Sequence, residues 1–550
     1  MLYRRVPNVK SLSMRKVVAM VGAVALIVSG TILAIPSASA APVCATKAGI
    51  ETCGGVLSNG AAYAIKIPSN FKGTVFYWNH GFRPSYPYPG YTPPKGVEEI
   101  TLGNQITKSD STKEMLNLGY GVAAYDRSTG GLHGWNTAEG VAMLKELVDT
   151  TKAKYPTATK SVIWGSSGGV PVVNMFAEKY PELTNAVGLA TGVATNIGRQ
   201  LQSGCDLFFI MSVFFDPTIK GCDAFGGKGV AGHMAALGEL AKVGALLTAW
   251  SKNFGAPGLE YPAALKGSGI PQRSALLLMG LLSGMPAKSQ HMDGISTSAA
   301  VPEQSINATL AILENTLDAS ATGILAGQAV SEVVGGKFYD NTKTDYTALL
   351  DEADSGRYNL GLSGDEAIGA MLTMLKMAPR ITADATAMAG IKAIDKVNHT
   401  STKPTILLHN EADRLVWPGQ SVAYVDAKRA VFDANQSKYE DALASAKTGA
   451  QLLAAMKMKP KWNTLALYAM TPETYTKYTD AGLPVLTGLG ANSGVGHQAF
   501  SSAQTMAFAK LLYYAANSGN IPSSALIAKN IAAGAGLNPD LDFRPTELKY

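Results

Sequence analysis

The chain has 550 residues, 47% of them hydrophobic and 16% charged, with a formal net charge of +6. The positive balance belongs to the first forty residues: Arg4, Arg5, Lys10, Arg15 and Lys16 lie there with no acidic residue, and removing these five leaves 42 basic against 41 acidic residues. A net charge near +1 gives by itself no electrostatic case for a nucleic-acid partner or an anionic surface. The remaining chain, about 510 residues, is longer than one ordinary domain, so a core with a large insertion or cap is expected.

Residues 1–40 read as a signal peptide. The basic start is followed by an apolar run over 17–35 and then Pro36-Ser-Ala-Ser-Ala40, with the small residues Ala38 and Ala40 where a signal peptidase needs them. The competing reading is an uncleaved anchor, because the run approaches the length of a bilayer span. No later stretch reads as long and apolar enough to span. The four cysteines, Cys44, Cys53, Cys205 and Cys222, form an even set in an exported chain. Two disulfides are expected, and sequence order favours 44–53 and 205–222 among three pairings, with free buried thiols as the alternative. No C-x-x-C occurs, so a zinc site is not expected.

From residue 74 the pattern alternates between strands and helices, which implies a mainly parallel sheet. Residues 74–79 form a β-branched and aromatic run ending at His80-Gly81, and 120–125 form a second ending at Asp126-Arg127. Asn136 with Glu139 reads as a capping box opening a helix to about Lys154. A strand over 160–164, a helix over 170–180 and a strand over 186–190 follow. From about 192 to 397 helical runs dominate: 231–247, 274–282, 304–317 and 366–377. Strand-like sequence returns at 404–408 and at 483–486, with a helical stretch over 421–456 between them. The simplest arrangement is a core of 41–192 and 398–550, interrupted by a helical cap of 193–397.

Gly165-Ser-Ser-Gly-Gly169 fits G-x-S-x-G with Ser167 at its centre. A serine on a sharp strand-to-helix turn needs glycines two positions either side, because side chains there would collide. The strand before it and the helix after it supply that context. Such a turn sets the Gly168 amide at a helix N-terminus, where a developing oxyanion is stabilised. A hydroxyl at its ordinary pKa also needs a base held by a third group. Of the seven histidines, His497 lies in a glycine-rich loop just before a helix and is the expected base. His80 suits an oxyanion loop better. His133, His233, His291 and His399 fall in loops or the cap, and His409 sits on a strand. Asp413, on the turn after that strand, is the expected acid, with Glu411 as its nearest competitor.

These residues resemble the α/β-hydrolase superfamily, whose chain order is serine, aspartate, histidine. The resemblance covers about 60–192 and 400–515. His80-Gly81 is similar to the family's oxyanion-loop HG, which implies that the amide of Phe82 pairs with that of Gly168. Tyr125-Asp126-Arg127 resembles the D-x-R segment after the family's next strand, whose aspartate is structural. His409-Asn-Glu-Ala-Asp413 resembles H-G-x-x-D, with Asn410 where glycine is common. The long interval from Asp413 to His497 departs from the family's shorter spacing, and the helical insertion 421–456 accounts for it.

With the leader, the resemblance implies a secreted serine hydrolase that cleaves small-molecule esters through an acyl-enzyme, with no metal or organic cofactor, and the cap's composition adds a slight tilt toward lipid-like esters. The cap should roof the site. Its methionines, among them Met279, Met285, Met371, Met374 and Met377, read either as an adaptable apolar pocket or as ordinary helix packing. A peptidase or amidase using the same triad and a catalytically silent binding protein of this fold are the alternatives.

Overall fold

The computed structural model describes residues 42–88, 91–93, 96–104, 109–129, 134–253, 265, 267–294, 306–477, 493–532 and 536–550. The leader read over 1–40, His133 and the strand expected at 483–486 lie outside them.

Strands β1 (Val43–Lys47), β2 (Ile50–Val56), β3 (Ala62–Pro68), β4 (Thr74–Asn79), β5 (Gly121–Tyr125), β6 (Lys160–Ser166), β7 (Ala186–Ala190), β8 (Thr405–Asn410), β9 (Thr464–Ala469) and β10 (Leu537–Asn538) form one sheet. Their order is β1-β2-β3-β5-β4-β6-β7-β8-β9-β10. From β5 to β9 every pairing is parallel, while β1 to β3 join antiparallel to one edge and β10 to the other. The parallel strands are apolar and buried along nearly their whole length, as a sheet covered on both faces requires. Helices α1 (Thr137–Lys154) and α2 (Val170–Lys179) cover one face through Leu144, Leu147, Val172 and Phe176. After β4 the chain steps outward to β5 and returns on the other side to β6. A crevice therefore opens at the carboxyl ends of β4 and β6, where ligands bind in open α/β sheets. This is the α/β-hydrolase fold.

Among the described residues, no strand of the sheet falls in the chain between β7 and β8. Helices α3 (Ile197–Phe214), α4 (Gly229–Asn253), α5 (Gln272–Ser283), α6 (Ile306–Val334) and α7 (Asp365–Met377) occupy that interval and bury a separate apolar cluster. After β8 come α8 (Gly419–Ser445) and α9 (Gly449–Lys457). Helix α10 (Ser502–Ser518) covers the second face of the sheet through Phe508, Leu511 and Leu512.

Three departures from the sequence reading have local causes. The strand beside β8 is Thr464–Ala469, a six-residue run with no flanking turn signal strong enough to mark it. The β1–β2 hairpin carries two consecutive glycines and little apolar alternation, so periodicity does not reveal it. The segment Gly229–Trp250 is long and apolar enough to cross a membrane, against the expectation of no such stretch. It faces the cap core with Ala236, Val243, Leu247 and Trp250. Its buried Glu239 accepts hydrogen bonds from the amides of Lys220 and Gly221 at 2.7 and 3.0 Å.

Both disulfides are present as ordered in sequence. Cys44–Cys53 joins directly opposed residues of β1 and β2, and Cys205–Cys222 ties α3 to the turn that follows it. Beside Cys205, Asp206 is fully buried and accepts hydrogen bonds from the hydroxyls of Tyr339 at 2.5 Å, Tyr346 at 2.9 Å and Tyr550. Burial pushes its carboxyl up to about 6, with the tyrosine hydroxyls partly opposing the shift. The folded state thus holds this proton more tightly than the unfolded chain. The stability it contributes is full below about pH 4 and is lost as pH rises to about 6, roughly 3 kcal/mol in all. Urea midpoints are expected to show this loss for the native protein and not for Asp206→Asn.

Candidate active site

The turn after β6 puts Ser167 at φ 51°, a left-handed conformation that costs a residue with a Cβ on the order of 1 kcal/mol or more. A side chain at Gly165 would meet the Asn79 carbonyl at 2.7 Å, and one at Gly169 would collide with the carbonyls of Asn79 and His80. The two glycines are thus required by the closeness of β4 and of the segment leaving it. Ser167 leads into a short 3-10 turn and then α2, so Gly168 stands at a helix start.

The segment leaving β4 lies against this turn. A Cβ on Gly81 would come within 2.8 Å of the Ser167 Cβ, and one on Gly168 within 3.4 Å of the Phe82 nitrogen. Phe82 and Gly168 are therefore neighbours beside the serine, with Trp135 stacked on the Phe82 ring at 6.0 Å. His80 is buried and braces this segment. Its Nδ1 donates to the Gly81 carbonyl at 2.8 Å, and its Nε2 accepts from the Arg127 amide at 3.0 Å. Arg127 in turn donates from Nη1 to the His80 carbonyl at 2.7 Å. Burial, with Arg83 adding to it, lowers the His80 pKa to about 3, so the ring is neutral and structural. Asp126 sits beside it and accepts from the Ser128 amide and hydroxyl.

Asp413 and His497 meet from two different loops. Asp413 is fully buried: Oδ1 accepts from the amides of Leu415 and Val416 at 2.8 and 3.1 Å, and Oδ2 accepts from His497 Nδ1 at 2.8 Å. The proton is thereby placed on Nδ1, which leaves Nε2 as the free acceptor. The two loops are zipped together, the Ala412 amide donating to the Gly494 carbonyl and the Gly496 amide to the Ala412 carbonyl, each at 3.0 Å. Asn410, standing where glycine is common, is buried and donates to the Ala499 carbonyl at 3.2 Å, so the substitution braces the histidine loop. Glu411 is otherwise engaged: it takes Lys288 Nζ at 2.7 Å and the Thr471 amide and hydroxyl. His409 donates from Nε2 to the Val416 carbonyl and accepts at Nδ1 from Ser421. Burial lowers its pKa, and its Nε2 lies 3.6 Å from Asp413, beyond hydrogen-bond range.

Ser167 and His497 line one cleft with Phe82 and Gln498. Their side chains are not hydrogen-bonded to each other here, which is common before substrate closes a site. Sequence reasoning missed Gln498. Its Nε2 donates to the Ser166 hydroxyl at 2.8 Å, fastening the histidine loop to the serine strand, and its φ of 54° departs from the ordinary regions. No residue-type pattern marks such a brace. His233 accompanies the Pro87 carbonyl and His291 the Glu314 carboxylate, both away from this group.

A second opening leads from Ser167 under the cap. This cavity of about 110 Å³ is lined by Phe82, Trp135, Leu207, Phe208, Val416 and Trp417, with Gly204 and Gly323 leaving its wall open. Of the five cap methionines singled out in the sequence, Met285 alone lines it. Met279 and Met371 are buried in the cap core, Met374 packs against that core, and Met377 is 80% exposed at the end of α7. Three of these methionines thus serve helix packing, and the cavity is walled mainly by aromatic, aliphatic and small residues.

No protein-family model and no curated protein matches the sequence. Solved structures similar in fold include an esterase from Aspergillus oryzae, at 13% identity over 76% of this chain and 72% of that one, with a TM-score of 0.33. Tannin acyl hydrolase from Aspergillus niger is 12% identical over 78% and 76%, with a TM-score of 0.29. The rice cell wall degrading esterase LipA from Xanthomonas oryzae is 11% identical over 74% and 86%, with a TM-score of 0.27. Likeness at this level leaves the chemistry to be argued from the site itself.

Proposed function

We propose that this chain of α/β-hydrolase fold is an exported serine hydrolase that cleaves carboxylic esters of apolar acids, with Ser167, His497 and Asp413 as its triad. The observation that carries the reading is the buried Asp413 holding His497 Nδ1 at 2.8 Å while the ring lines one cleft with a serine on a strained turn. His497 Nε2 takes the Ser167 proton as Oγ attacks the ester carbonyl. The amides of Phe82 and Gly168 stabilise the tetrahedral oxyanion, each worth about 3 kcal/mol of barrier. His497 then protonates the leaving alcohol, and water attacks the acyl-enzyme by the same route. Residues 41–192 and 398–550 make the hydrolase core in this reading and 193–397 the cap. Two disulfides fit an oxidising, extracellular setting.

A fluorophosphonate ester tests the nucleophile directly. One covalent adduct per chain is expected, on the peptide containing Ser167. A folded protein that takes no label, or takes it on another residue, ends the reading.

The cavity under the cap sets the acyl half. A methylene displaces about as much volume as a water molecule, and each water needs about 10–15 Å³ of such space, so 110 Å³ holds on the order of seven to eleven methylenes. A side chain at Gly204 would enter open space on the wall of this cavity. Gly204→Leu is expected to lower kcat/KM at least tenfold on decanoyl esters and leave acetyl esters unchanged. The melting temperature should hold or rise, since leucine favours a helix over glycine by about 1 kcal/mol. A chain-length series of p-nitrophenyl esters reads the first two, and a thermal denaturation curve the third.

A further inference from the structure

The net charge of the chain hides a local excess. Between Asp441 and Glu473 there is no acidic residue, while Lys447, Lys457, Lys459 and Lys461 fall within that interval. Helix α9 lies in its centre, opened by a Thr448–Gln451 capping box, and only Ala455 of its nine residues is buried. Leu452, Leu453, Met456 and Met458 are 45%, 63%, 56% and 49% exposed, four of the twelve large apolar residues that stand out from the described surface. A short helix that turns leucine and methionine outward pays for it in solubility unless something covers them.

We propose that α9 and its flanking lysines are a docking surface for an anionic lipid bilayer. The four apolar side chains would enter the boundary between headgroups and acyl chains, and the lysines would meet the lipid phosphates. Charge selects this occupant over a second copy of the chain. A two-fold contact through α9 would bring two sets of four lysines face to face, with nothing acidic in the segment to offset them. Glu440 and Asp441 close the preceding helix α8 with Lys438 just before them, while its Arg429 pairs with Asp542 and its Asp426 with Arg544.

The topology also fixes the orientation. Met458 to Asn463 share a groove with Thr400 to Thr402, just ahead of β8. Residues Thr405 and Thr464 begin β8 and β9 side by side, so α9 sits at the edge where strands start. Ser167 and Asp413 lie beyond the opposite edge, where strands end. A docked molecule would hold its catalytic cleft away from the bilayer and facing water. The surface is therefore a tether and not a route for lipid into the site.

Co-sedimentation of the mature protein with phosphatidylcholine vesicles, with and without phosphatidylglycerol, tests this. Binding is expected only with the anionic lipid and should weaken about tenfold in high salt. It should weaken by a similar factor in Leu453→Ser/Met456→Ser and in the variant carrying glutamine at the four lysine positions. These positions are exposed, and unchanged melting temperatures confirm that the variants fold. Hydrolysis of a soluble ester should proceed equally in bound and free protein. Absence of binding, or binding that survives both variants, overturns the proposal. A dimer that the same substitutions dissolve assigns the face to a second copy and overturns it as well.

Discussion

Ser167→Ala is expected to lower kcat on a p-nitrophenyl ester by about 10,000-fold or more, with a residual rate from the oxyanion site and binding alone. The adjacent Ser166 cannot take over the attack, because it is buried with its hydroxyl bound by Gln498 at 2.8 Å. The size of the loss separates a nucleophile from a residue that merely shapes the turn. A companion variant sharpens the comparison. Ser167 holds φ at 51°, so Ser167→Gly relieves backbone strain and should raise stability by about 1 kcal/mol while losing activity just as fully. Urea denaturation of the two variants, beside steady-state kinetics, gives both numbers. If activity survives in either, the nucleophile has been misassigned.

Asp413→Asn should cost about 1,000- to 10,000-fold in kcat, with KM little changed. The amides of Leu415 and Val416 both point at Oδ1, so an asparagine keeps its carbonyl there and turns its NH2 group toward His497. Nδ1 must then accept, the proton moves to Nε2, and the face toward Ser167 holds a donor where a base is needed. His409 cannot compensate, since its two nitrogens are committed to Val416 and Ser421. Glu411→Gln is the matched control. That carboxylate serves Lys288 and Thr471, and its loss should alter stability more than kcat. Equal losses in the two variants would move the acid to Glu411.

The parts of this fold that the sequence made legible are those where local chemistry and global position agree. Ser167 was visible because its turn demands Gly165 and Gly169, a steric need that leaves a mark in residue type. His497 and Asp413 stood out through chain order, His497 in a glycine-rich loop ahead of a helix and Asp413 on the turn after a strand. Strand β9 escaped because Thr464–Ala469 is buried on both faces, and a short apolar run without strong turn signals is indistinguishable from part of a helix. The cavity wall escaped for a different reason. Gly204 and Gly323 matter for the space they leave, and an empty space has no periodicity. Gln498 and Asn410 act through hydrogen bonds to residues far along the chain, which spacing does not encode.

The Gln498–Ser166 bond closes a loop of 332 residues, and the Asp413–His497 bond one of 84. Closing such loops costs chain entropy before any contact repays it, and proteins built on distant contacts fold slowly. Helices of the cap form from near neighbours and can collapse early. The three residues of the site come together only once β8 and the loop holding His497 have joined the sheet. On the proposed reading of an exported hydrolase, catalytic competence is accordingly a late event in the life of each molecule, and a chain crossing a membrane unfolded would carry no working enzyme on the inner side.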